Sequence, residues 1–127
     1  MRRLLLPLAL VIATPAAAQD WRMAPEYDVQ LSTYDIQPGE IRLKAGEPVR
    51  LRFVNTTNQG LTFSAGGFFR DSKLRRRDSA LVKGGSLQVP ALSTRTIVLV
   101  PKAGRYKATG ANLLHRLLGM SGRIIVE

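Results

Sequence analysis

The chain has no cysteine and only one histidine, His115, among its 127 residues. Without thiols there is no disulfide framework, no thiolate zinc site, no iron–sulfur cluster and no cysteine nucleophile. One imidazole cannot build a multi-histidine metal site or a Ser-His-Asp constellation with a spare base. Aromatic residues make up 6% of the chain, and 9 acidic residues face 19 basic ones. Gly66-Gly67 and Gly84-Gly85 lack the Lys-Ser/Thr ending of a phosphate-cradling loop and read as turns. Glu26, Asp28, Asp35, Glu40 and Glu47 are scattered over turns and strand ends, without the paired spacing of carboxylate catalysis or a calcium loop, and are expected to face solvent. The expectation from these deficits is a protein that is not an enzyme.

What remains is ordinary globular composition, 45% hydrophobic and 22% charged, in a length that suits one domain. Met1-Arg2-Arg3 supplies two positive charges, Leu4 to Ala13 an apolar stretch broken only by Pro7, and Ala16-Ala17-Ala18 a small-x-small cleavage site. Together these read as a secretory signal peptide over residues 1–18. The apolar stretch is too short for a transmembrane anchor, which needs roughly 20 residues. The mature domain is then 19–127, periplasmic or secreted, with no transmembrane segment. It stays basic after losing Arg2 and Arg3 from a formal net charge of +10. Free of cysteine in a disulfide-permissive compartment, it must be held by its core alone.

Ile41-Arg42-Leu43-Lys44 alternates apolar and basic. Ala45-Gly46-Glu47-Pro48 then marks a turn, and Val49 to Val54 alternates again with the same polarity. Period two predicts half-buried strands. Further strands are predicted at Tyr27 to Ser32, Leu61 to Ser64, Ser86 to Val89, Thr94 to Val100, Gly104 to Thr109 and Arg123 to Val126. Turn signals at Pro38-Gly39, Gly66-Gly67, Gly84-Gly85, Pro90 and Pro101 to Gly104 separate them. Seven to eight short strands punctuated this way predict an all-β, antiparallel β-sandwich. Two stretches do not fit strands. Arg70 to Lys83 is charged without alternation, and Ala111 to Gly119 carries Leu113, Leu114, Leu117 and Leu118 at spacings of a short helix before the last strand, with Asn112 placed to cap it.

From Ile36 to Glu127 the sequence resembles the cupredoxins, the family of plastocyanin, azurin and the cupredoxin-like domains of some periplasmic iron-uptake proteins. The pieces that carry the resemblance are the Ala45-Gly46-Glu47 turn leading into Val49 to Asn55, Leu61-Thr62-Phe63, Gly104-Arg105-Tyr106, and Gly119-Met120-Ser121-Gly122. The resemblance implies a Greek-key sandwich. It also sets a ligand frame in which Tyr-x-x-x-Cys precedes a His and then Gly-Met-x-Gly. Here the position four after Tyr106 is Gly110, not Cys, and the upstream histidine position, six after Asn55, is Leu61. Only His115 and Met120 match the ligand pattern. A blue-copper centre needs two His and a Cys with a weak axial Met, so the resemblance implies fold and compartment and argues against a type-1 centre or electron transfer.

His115 and Met120 carry two readings. One is a low-affinity soft-metal site, for Cu(I) for example, in a periplasmic metal-handling protein. The other is a relic in which His115 hydrogen-bonds its neighbours and Met120 fills the core. Two ligands without a third favour the relic, so no cofactor is expected. Leu114 and Leu117 are candidates for a contact surface, with the remaining leucines plugging the end of the core. Arg75, Arg76 and Arg77, with Arg70 and Lys73, form the densest charge cluster and would draw an acidic partner or anionic headgroups, partly offset by Asp71 and Asp78. Phe68-Phe69 is expected to anchor this stretch in the core. An exported chain without an aromatic stacking strand gives no nucleic-acid partner. The expected partner is a periplasmic or membrane-associated protein, and the expected function is a non-redox binding or interaction module.

Overall fold

A computed structural model describes residues 21–33, 35–110 and 121–127. The expected signal peptide and the expected short helix with Asn112, Leu114, His115, Leu117 and Met120 lie outside the described residues. A 3-10 turn at Trp21–Met23 leads into β1 (Glu26–Leu31), β2 (Ile36–Gln37), β3 (Glu40–Leu43), β4 (Val49–Asn55) and β5 (Leu61–Ser64). Helix α1 (Gly66–Asp71), β6 (Lys73–Leu74), a 3-10 turn (Arg76–Leu81) and β7 (Val82–Lys83) follow. The chain ends in β8 (Ser86–Val89), β9 (Thr94–Val100), β10 (Gly104–Gly110) and β11 (Ser121–Val126).

Two sheets form the sandwich, one ordered β2-β1-β4-β9-β6 and the other β3-β11-β10-β5-β8-β7. The predicted strands are present. The additions are β2, β6 and β7, each of two residues and each at a sheet edge. Short edge strands offer little free ladder to another chain. Alternation does its expected work in β4, where Val49, Leu51, Phe53 and Asn55 are buried and the residues between them half-exposed. It fails in β9, where Ile97, Val98 and Leu99 are all buried; the turn after β6 lies against this part of the strand, the Asp78 carboxylate accepting the Val98 N–H at 2.9 Å.

Two pairings depart from the expected antiparallel pattern. β1 runs parallel to β4, Glu26 opposite Arg50 through Leu31 opposite Asn55, and β3 runs parallel to β11. A parallel pair requires a long crossover. The chain supplies one by passing through the other sheet at β3 on its way from β1 to β4. The remaining strand pairs are antiparallel.

Gly66-Gly67, read as a turn, instead opens α1. The helix carries Phe68 and Phe69 into the core as expected, at 1% and 4% exposure. Their rings form a chain between the layers, Phe53 to Phe63 at 4.7 Å, Phe63 to Phe69 at 6.1 Å, Phe69 to Phe68 at 5.5 Å and Phe68 to Tyr106 at 5.6 Å. Offset and edge-on aromatic contacts add to plain burial, which offsets the poor helix propensity of two leading glycines. Gly85 passes so close to the helix start, at φ +77°, that a Cβ on it would stand 2.5 Å from the Gly66 Cα. Only glycine fits there.

Candidate functional site

One end of the sandwich gathers the end of β4, the start of β5, the end of β8, the start of β9 and the end of β10. Gly110 lies opposite Phe63, Leu61 lies opposite Val89, and β11 starts with Ser121 opposite Thr109. Gly110 and Ser121, the described residues on either side of 111–120, are therefore both at this end. Leu61 shares the inward face of β5 with Phe63, and Gly110 the inward face of β10 with Ala108, all of them buried. The two positions that the family resemblance reserves for a histidine and a cysteine do face one interior region. They fill it with an isobutyl group, 2% exposed, and with no side chain at all.

Asn55 organises this end. It is 1% exposed and its Nδ2 donates to the carbonyls of Gln59 at 2.8 Å, Val89 at 3.0 Å and Pro90 at 3.1 Å. Its Oδ1 accepts from the Thr57 N–H at 2.9 Å and the Thr57 hydroxyl at 2.7 Å. One buried amide thus ties the β4–β5 loop to the β8–β9 turn, satisfying groups that would otherwise be costly to bury. The Leu92 N–H closes the same arrangement by donating to the Thr57 carbonyl at 2.9 Å. Leu92 is in the left-handed region at φ 54°, unusual for a branched residue, and is 73% exposed. Nothing local in the sequence distinguishes a leucine in a Pro-Ala-Leu-Ser turn.

With no cysteine in the chain, the thiolate that a type-1 copper ion requires has no source. The described residues bring neither an imidazole nor a thiolate to the end of the sandwich, and no group of three or more metal-binding side chains gathers among them. His115, Met120, Leu114 and Leu117 lie outside the described residues.

The arginine cluster divides. Arg76 and Arg77 are exposed on the 3-10 turn. Arg75 turns inward, its side chain 15% exposed, and its Nε and terminal nitrogen donate to the two oxygens of Asp78 at 2.8 and 3.2 Å. Its charge is committed to the fold and is not part of a free positive patch. The signal was present in the sequence as Asp78 three residues on, which places the carboxylate over Arg75 when the segment winds into a turn. Arg70 approaches Asp71 at 3.5 Å in solvent, a pairing of small energetic value.

No protein-family model matches the sequence, and no curated protein matches it. Solved structures do match in three dimensions. Auracyanin B is 18% identical with a TM-score of 0.58, covering 82% of this chain and 89% of its own. The reduced auracyanin of Roseiflexus castenholzii is 16% identical with a TM-score of 0.58, covering 82% of this chain and 97% of its own. A multicopper oxidase from Pseudomonas thermotolerans is 17% identical with a TM-score of 0.60, and the match covers 80% of this chain but 29% of the oxidase. At these identities the likeness is one of fold: the chain is a cupredoxin-like all-β sandwich.

Proposed function

We propose that this is an exported, non-enzymatic cupredoxin-like module that binds a periplasmic or membrane-associated partner through the end of the sandwich bearing the His115 segment, and that carries no type-1 copper. The observation that supports the absence of a redox centre is the apolar filling of the ligand end by Leu61 beside Val89. Leu92 supports the binding reading. A leucine held exposed and left-handed at this end costs free energy in the isolated domain, and such strain collects where a surface has a use. With Leu114 and Leu117 it would give the partner an apolar contact, while the exposed Arg76 and Arg77 favour an acidic one.

The test separates binding from metal handling. The metal-stripped mature chain is titrated with Cu(I) against a competing chelator, alongside His115→Ala. In parallel, a Leu114→Asp/Leu117→Asp variant is used in cross-linking to periplasmic proteins. The proposal expects equal Cu(I) binding by wild type and His115→Ala, and loss of the cross-link in the double variant with its β-rich circular dichroism retained. Tight Cu(I) binding that depends on His115 would move the protein to soft-metal handling with Met120 as the second ligand. A cross-link that survives both aspartates would remove the docking claim.

A further inference from the structure

Beside the same end, along the β8–β7 edge of the second sheet, lies a groove of about 480 Å³ whose lining includes Thr62, Leu81, Lys83, Ser86, Gln88 and Arg95. That size is within the range of small-ligand sites. Its polar groups come from separate elements. Thr62 is on β5, Ser86 and Gln88 on β8, Lys83 on β7, and Arg95 comes from β9 in the opposite sheet. By register Arg95 lies opposite Phe53 and on the same face of β9 as Ile97, so it stands at the open side between the sheets, and it is half-buried there. Lys83 lies opposite Ser86, and the Ser86 hydroxyl bonds that of Ser64 at 2.7 Å.

No carboxylate lines this groove, and among the described residues neither Lys83 nor Arg95 forms an ion pair. The acid on the turn beside it, Asp78, is already held by Arg75 and by the Val98 N–H. Two cations therefore line one groove without a counter-charge, together with hydroxyl and amide groups that can donate. A guanidinium fork offers two parallel N–H donors to a tetrahedral oxyanion, an ammonium adds a point charge, and hydroxyls complete the shell.

We propose that this groove is a binding site for a phosphate group, carried either by a soluble phosphate compound or by a phospholipid headgroup. The site is independent of the docking reading above, because it uses none of the residues that reading requires.

The test is a titration of the 15N-labelled protein with inorganic phosphate at constant ionic strength, with sedimentation on phosphatidylglycerol vesicles as a second arm. Saturable amide shifts confined to β5, β7, β8 and the start of β9 are expected. Affinity should fall about tenfold in Arg95→Gln and in Lys83→Gln, as loss of one charge-assisted contact implies. Lys107→Gln, a cation on the outer face of β10, should leave it unchanged. Lys83→Gln lies on an exposed edge strand and keeps the test decisive if Arg95→Gln unfolds. Vesicle binding that is lost in the same variants identifies the headgroup as the source; phosphate binding without vesicle binding identifies a soluble phosphate. Shifts without saturation in both arms, or a loss in Lys107→Gln as large as in Arg95→Gln, would overturn the site in favour of diffuse attraction.

Discussion

Asn55 and Asp78 are the buried polar side chains among the described residues, and each pins an irregular segment to a sheet, but with opposite chemistry. At the ligand end, neutral Asn55 uses both donors and its acceptor on five hydrogen bonds. At the open side, charged Asp78 holds a turn against β9 and has to bring its own cation, Arg75, into partial burial with it. A neutral amide can be buried without a counter-ion, whereas a carboxylate cannot. The difference explains why one arginine of the basic run is lost to the surface while Arg76 and Arg77 remain there.

The largest effect that breaks this comparison is expected from Asp78→Ala. It strands the Arg75 charge and the Val98 N–H, and urea denaturation should show a loss of about 3–5 kcal/mol. Replacing both partners, Arg75→Met with Asp78→Leu, should return the part of that loss that comes from the orphaned charge, while the Val98 N–H stays without its acceptor. Asn55→Ala should cost about 2–3 kcal/mol by leaving buried carbonyls unsatisfied, and here no second substitution restores it, because the partners are backbone groups of two loops. Equal rescue at both places would erase the distinction.

Leu92→Gly sharpens it from the other side. Removing a side chain from the left-handed region should stabilise the domain by about 1 kcal/mol in the same denaturation measurement, while weakening partner cross-linking if the exposed leucine serves binding.

The smallest effect lies at the far end, at Tyr106. Its hydroxyl donates to the Lys102 carbonyl at 2.9 Å and lies 3.4 Å from an Asp71 oxygen. Burial first, then the Asp71 charge, holds this phenol above its ordinary ionisation range. A raised folded value means that the protonated form favours folding. That contribution is complete below the ordinary phenol range and is lost as the pH rises through the folded value. Absorbance at high pH should therefore show one tyrosine ionising late, and Asp71→Asn should bring it earlier.

Long alternating strands were legible in the sequence because period two survives wherever one face is buried, as in β4 and β5. Two-residue strands carry no period, so β2, β6 and β7 left no trace. Helix α1 was hidden by Gly66-Gly67, whose turn chemistry was outweighed by the burial of Phe68 and Phe69. Of the candidate site, Leu61 and Gly110 were placed by spacing from Asn55 and Tyr106, and they lie on inward faces at one end. That Lys83 and Arg95 line one groove was not readable, since they are on strands of different sheets and come to it only in the folded chain.

The parallel pairing of β3 with β11 has a consequence for time as well as shape. β3 is joined to its sheet through β11 alone, so a segment near residue 40 waits for residues 121–126 before it has a place. Such distant partners close slowly, on the millisecond-to-second scale typical of β-sandwiches. A chain threaded from its amino end would then stay pliable until its last strand has emerged.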